Sequence, residues 1–173
     1  MAEKFAGDKK TGNVSFFYKL ELKMSEKLTP KIPLWLETYH LTLLTIPWSL
    51  LVIYFSFKAQ NNINWLWLAS LIIVFQYITD VFDGKVGKLR KTGLIKWGYY
   101  MDHFLDFIFA CSVVLGYYFI FPASSFYLAL ILIVAGGFMV NSFLYFSVTN
   151  KFKLDCGGLG ATEARIFLLL LIQ

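Results

Sequence analysis

The chain has 173 residues, of which 58% are hydrophobic, 19% aromatic and only 16% charged. A soluble domain of this length needs more charge to cover its surface, and apolar runs near ~20 residues read instead as membrane-crossing helices. The net charge of +5 would in a soluble protein point to nucleic acid; in a chain this apolar the positions of the charges carry the information, and no nucleic-acid partner is expected.

Residues 1–32 are rich in lysine and lack the early apolar core and small-residue cleavage site of a secretory signal. Within them, 14–28 (VSFFYKLELKMSEKL) puts Phe17, Leu20, Met24 and Leu28 on one face at spacings of three and four, with Lys19, Lys23, Glu26 and Lys27 elsewhere. The pattern predicts a basic amphipathic helix lying on an anionic membrane surface. Pro30 and Pro33 end it. The expected organisation is an N-terminal cytoplasmic segment, residues 1–37, followed by a transmembrane domain, residues 38–173.

Four spans are predicted near 41–57, 64–82, 98–121 and 124–148. Pro47 is expected to kink the first, and Gly136-Gly137 to allow close helix packing in the fourth. A fifth apolar run, ARIFLLLLIQ, starts at Ala164 and ends at Gln173, about half of the ~20 residues a crossing needs. The expectation is an all-α integral membrane protein that either ends in a half-inserted helix or, the favoured reading, is truncated in its fifth span. Cys111 falls in a span and Cys156 in a loop, which supports neither a disulfide framework nor a zinc site.

The basic residues give the topology. Lys4, Lys9, Lys10, Lys19, Lys23, Lys27 and Lys31 precede the first span. Lys85, Lys88, Arg90, Lys91 and Lys96 lie between the second and third, and Lys151, Lys153 and Arg165 follow the fourth. The opposite loops hold only Lys58. This alternation places the N-terminus and the loop between spans two and three in the cytoplasm.

Four carboxylates flank that loop. Asp80 and Asp83, spaced i, i+3, share a helix face at the end of span two; Asp102 and Asp106, spaced i, i+4, share one on the first turns of span three. Antiparallel neighbouring spans would bring the two pairs together just below the interface. Four carboxylates at that depth repel one another, and a charge there costs on the order of 2.5–3.5 kcal/mol. A divalent ion relieves both, and an all-oxygen ligand set without thiolates or a histidine pair favours Mg²⁺ or Mn²⁺. Metal beside a basic loop points to a phosphate-bearing substrate. Gly84 would admit a nucleotide close to the backbone, and Lys88, Arg90 and Lys91 would neutralise a diphosphate. Solvated helix caps and topology-setting lysines are the bland reading of such residues. A cation-coupled transporter with the aspartates on its ion path is the competing functional one.

The stretch DVFDG, a basic run, then GYYMDHFLD, resembles the CDP-alcohol phosphotransferase (CDP-alcohol phosphatidyltransferase) signature D-x2-D-G-x2-A-R-x8-G-x3-D-x3-D. Asp80, Asp83 and Gly84 match its opening, and Gly98, Asp102 and Asp106 its close. Gly87 and Lys88 stand where the signature has Ala-Arg, and nine residues rather than eight separate Lys88 from Gly98. Lysine keeps the charge but not the bidentate fork of arginine, and a shifted alignment gives that role to Arg90.

The resemblance implies six spans, a homodimer, and transfer of a substituted phosphoryl group from a CDP-linked donor to an alcohol with release of CMP, in phospholipid biosynthesis. By it, Asp80, Asp83 and Asp102 hold metal, and Asp106 completes a second metal position and acts as general base. Gly84, Gly87, Lys88 and Gly98 line the nucleotide, with Arg90 and Lys91 as further phosphate contacts. The donor is CDP-diacylglycerol, or CDP-choline or CDP-ethanolamine; DGK at 83–85, Asp102-His103 and ATEAR at 161–165 lean towards the latter branch. His103 has no expected catalytic role, and Glu163 either lines the site or caps its helix. An inactive truncated family member is the third reading.

Overall fold

The computed structural model describes residues 25, 27–91 and 94–149. The interfacial helix expected at 14–28, apart from Ser25, Lys27 and Leu28, lies outside the described residues, as does the apolar run from Ala164. The described residues are helical, with no strand. A 3-10 turn at Thr29–Lys31 precedes helices α1 (Thr38–Leu43), α2 (Thr45–Ala59), α3 (Trp65–Arg90) and α4 (Ile95–Ile120); a second 3-10 turn, Pro122–Ser124, leads into α5 (Ser125–Thr149). With α1 and α2 counted as one crossing, these make four helices long and apolar enough to span a membrane.

The break between α1 and α2 falls at Leu44. Pro47 has no N–H to offer the Leu43 carbonyl, and its ring crowds that turn. The Trp48 amide still reaches the Leu44 carbonyl at 3.1 Å, so the chain continues across the interruption.

The first span is built for close approach. Its buried residues are Leu41 and, in alternating steps of four and three, Thr38, Thr42, Thr45, Ser49, Val52, Ser56 and Ala59. That is a heptad-like seam of small side chains, the kind that lets helix backbones pack tightly where lipid offers no hydrophobic drive. Both α3 and α4 pack along the first span, while they touch each other sparingly. Near one end of the seam a Cβ added at Gly87 would lie 2.7 Å from Thr38 Oγ1; towards the other, one added at Gly116 would lie 2.6 Å from Ser56 Oγ. Between them sits the apolar core of Val52, Ile72, Ile73, Phe109 and Val113, ringed by Trp48, Leu51, Phe55 and Tyr117. At the end away from the aspartates, Gln60 Nε2 donates to the Phe119 carbonyl at 3.0 Å and ties the first turn to the end of α4.

Two expectations need correction. The second span does not stop near residue 82: α3 stays helical to Arg90, and residues 91–94 alone join it to α4. Gly84, Lys85, Lys88 and Arg90 are therefore on a helix and not in a loop, and Asp83 is on the helix face expected for it. Glycines cost a helix about 1 kcal/mol each, but here Gly87 gives Thr38 its place. The second correction concerns Gly136-Gly137. A Cβ at Gly136 would meet the Phe107 ring at an ordinary 3.7 Å, and one at Gly137 would meet nothing within 4 Å, so neither glycine is needed for close packing among the described residues. No residue of α5 is buried. It leans on α4 through Phe143 against His103 and Phe146 against Tyr99, and an apolar helix exposed on most sides suits lipid.

Candidate active site

The site forms where the first span holds α3 and α4 together. On α3, Gln76, Asp80, Asp83 and Gly87 follow one another at steps of four and three and so share a face. On α4, Asp102 and Asp106 do the same. One oxygen from each of Asp80, Asp102 and Asp106 lies within 4.8 Å of the others. Ionised carboxylates only accept hydrogen bonds and repel one another at such distances, so the cluster is suited to a proton or a cation among its oxygens.

Asp83 is held differently. It is 7% exposed, and its Oδ2 accepts from Thr42 Oγ1 at 2.9 Å. Its backbone carbonyl accepts from Thr38 Oγ1 at 2.7 Å. The charges of Asp80 and Asp106 still act on it. The structure thus brings three of the four expected ligands into mutual reach and ties the fourth, beside them, to the first span. Thr38 and Thr42 did not figure among the sequence candidates, although their place in the run of buried small residues marks the face they lie on.

Gln76 is the second addition. It is fully buried, and its Nε2 donates to Asp106 Oδ1 at 3.2 Å. The available signal was its position four residues before Asp80, polar within an otherwise apolar run (LIIVFQYITD).

The remaining candidates divide. Gly84 and Gly98 face open space, with nothing within 4 Å of an added Cβ, whereas Gly87 is taken up by Thr38. Lys88 and Lys91 are exposed; Lys91 ends α3 in the left-handed conformation, φ 53°, and its N–H reaches the Gly87 carbonyl. Arg90 is engaged elsewhere. Its guanidinium donates to the carbonyls of Ile32, Pro33, Leu34 and Leu36, at 2.7 to 3.3 Å, and lies 3.6 Å from a Glu37 oxygen. His103 Nδ1 lies 2.8 Å from the Tyr99 carbonyl. A carbonyl only accepts, so Nδ1 carries the proton there, and Asp102 Oδ2 is 3.5 Å away.

Helical rise also sets the depth of the site. At 1.5 Å per residue, Asp106 lies ~21 Å from the Ile120 end of α4 and Gln76 ~16 Å from the Trp65 end of α3. Both residues therefore lie well inside their helices rather than at the helix ends.

The carboxyl cluster is all oxygen and within mutual reach, the donor set that suits a hard divalent ion. These features define a multi-pass helical membrane protein with an acidic site between its spans, towards the end that carries most of its basic residues. The model of the CDP-alcohol phosphatidyltransferase family matches residues 36–173, and the chain belongs to that family. Its members are transferases of phosphorus-containing groups that use CDP-alcohol donors and alcohol acceptors and generally depend on a divalent metal. No curated protein and no solved structure gives a significant match.

Proposed function

We propose that this chain transfers a substituted phosphoryl group from a CDP-linked donor to an alcohol, releasing CMP, as a step of phospholipid biosynthesis. The observation that carries the reading is the approach of Asp80, Asp102 and Asp106 to within 4.8 Å, on two helices whose shared end also bears Lys85, Lys88, Lys91 and Lys96. Family membership favours this over an ion path through the same acids.

In this reading Asp80, Asp83 and Asp102 hold Mg²⁺ or Mn²⁺, with Asp106 completing a second position. When bound, the metal neutralises charge on the diphosphate and on the leaving CMP. Asp106 accepts the proton of the acceptor hydroxyl as its oxygen bonds to phosphorus and the bond from phosphorus to the CMP oxygen breaks. The open faces at Gly84 and Gly98 leave room for the nucleotide, and Lys88 and Lys91 supply charge for the diphosphate. Gly87 is assigned to helix packing and Arg90 to the N-terminal segment. The excess of basic residues at this end supports a site on the cytoplasmic side.

The test is CMP release by purified protein in lipid or detergent with Mg²⁺ or Mn²⁺. Matched reactions contain CDP-diacylglycerol with polar alcohols, or CDP-choline and CDP-ethanolamine with diacylglycerol. The expected result is metal- and acceptor-dependent release in one branch, reduced at least ~100-fold in Asp106→Asn. Folded protein that releases CMP in no mixture and binds no Mn²⁺ overturns the reading.

A further inference from the structure

We propose that Gln76 is a positioning residue for Asp106, an inference that rests on the reading of the site given above. Gln76 is 0% exposed. Its Nε2 donates to Asp106 Oδ1 at 3.2 Å, a bond from α3 to α4. A donor fixed on one carboxylate oxygen restricts rotation of the whole group. It holds Asp106 where it meets Asp80 and Asp102.

The other end of the same amide argues against a packing role. Gln76 Oε1 is buried and has no hydrogen-bond partner among the described residues. A carbonyl left so is destabilising, the more so within a membrane-spanning helix. The neighbouring buried positions on α3 are Ala69, Ile72 and Ile73, and an apolar side chain would continue that face without the penalty. Nor is the bond needed to hold the two helices together, because each packs along the first span. A polar group kept at a cost to the fold, with its one satisfied end on Asp106, is what a site-positioning residue requires. The groups around metal ligands are commonly of this kind, and removing one costs about 10–100-fold in metal affinity or activity.

The experiment compares the full chain with Gln76→Met, which keeps the bulk and loses the amide, by three measurements. These are Mn²⁺ binding by EPR titration, kcat and KM for CMP release, and thermal unfolding in the same detergent. The expected result is an unfolding temperature equal to or above wild type. Mn²⁺ binding or kcat is weakened about 10–100-fold, and KM for the CDP-linked donor is unchanged. Should Gln76→Met fail to fold, Gln76→Glu, of the same size but without the N–H donor, is measured in its place. Wild-type levels of Mn²⁺ affinity and kcat in the variant overturn the proposal, and so does unfolding of both variants, which assigns Gln76 to the fold. Wild-type protein that binds no Mn²⁺ overturns the reading of the site itself, and this inference with it. Intact wild-type binding and turnover with an indifferent variant overturn this inference alone.

Discussion

The Thr42 hydroxyl on α1 donates to Oδ2 of Asp83 on α3 at 2.9 Å. A hydroxyl has one proton, and the Thr38 carbonyl, at 3.1 Å, is its other acceptor. The bond to the acid fixes a buried carboxylate beside Asp80 and makes the first span part of the site. Thr42→Val keeps the shape and removes the donor. A hydrogen bond to a charged group contributes about 1.5–3 kcal/mol, so Thr42→Val is expected to lower the unfolding temperature and CMP release together. Thr42→Ser, which keeps the hydroxyl, is expected to restore most of both. Thermal unfolding and turnover measured side by side check this.

Three glycines separate packing from ligand contact. At Gly87 and Gly116 a new Cβ would fall 2.7 Å from Thr38 Oγ1 and 2.6 Å from Ser56 Oγ, while at Gly84 it meets nothing within 4 Å. Gly87→Ala forces Thr38 to move and so breaks its bond to the Asp83 carbonyl. Gly116→Ala forces the first span and α4 apart well away from the aspartates. Both are expected to lose about 1–3 kcal/mol of stability, with turnover reduced in Gly87→Ala and near wild type in Gly116→Ala. Gly84→Ala is expected to fold normally and to raise KM for the CDP-linked donor. Unfolding temperatures and donor KM for the three variants decide it.

The sequence was most legible where one rule acts alone. Apolar length located all four spans, to within a few residues at most of their ends, and the i, i+3 and i, i+4 spacings chose the right faces for Asp80, Asp102 and Asp106. It was least legible where two rules compete. Gly84, Gly87 and the cations Lys85, Lys88 and Arg90 read as a loop, because glycine and charge weaken a helix taken by itself. Packing of Gly87 under Thr38 outweighs that, and α3 runs on to Arg90. The division of labour among the cations was hidden for another reason. Lys88 and Arg90 look equivalent in a string, and only the return of residues 32–36 to the end of α3 gives Arg90 its carbonyl partners. Gln76 stood in plain view on the Asp80 face, but its contact with Asp106 depends on how two separate helices meet.

Replacing each of Asp80, Asp102 and Asp106 by Asn tests the cluster as a unit. Each variant removes charge from a group whose oxygens lie within 4.8 Å of the other two. The expectation is loss of Mn²⁺ binding in every one, by ten-fold or more, roughly what one fewer charged ligand implies for a hard-ion site. Relief of repulsion at membrane depth is expected to leave the unfolding temperature in metal-free buffer unchanged or raised. EPR titration and thermal unfolding in chelator check the two halves independently. A fall in stability without a fall in Mn²⁺ binding would mean that the acids serve the fold.

Arg90 gives the sharpest contrast between the string and the structure. Its planar guanidinium fans out to four backbone carbonyls between Ile32 and Leu36 and sits 3.6 Å from Glu37. Glu37 in turn stands at the N-terminus of α1, where its amide reaches His40 Nδ1 at 3.1 Å. Residue 90 therefore fastens the chain entering the first span to the end of α3. A lysine places three donors at one point and cannot cover acceptors spread along a segment. Arg90→Lys is expected to lower stability by about 1–3 kcal/mol and to leave KM for the CDP-linked donor unchanged. Were the guanidinium a diphosphate contact, the pattern would reverse: KM would rise several-fold at an unchanged unfolding temperature. Lys88→Met, at an exposed position two residues earlier, is expected to give that reversed pattern, so the pair of variants assigns the signature's missing arginine charge to one residue or the other.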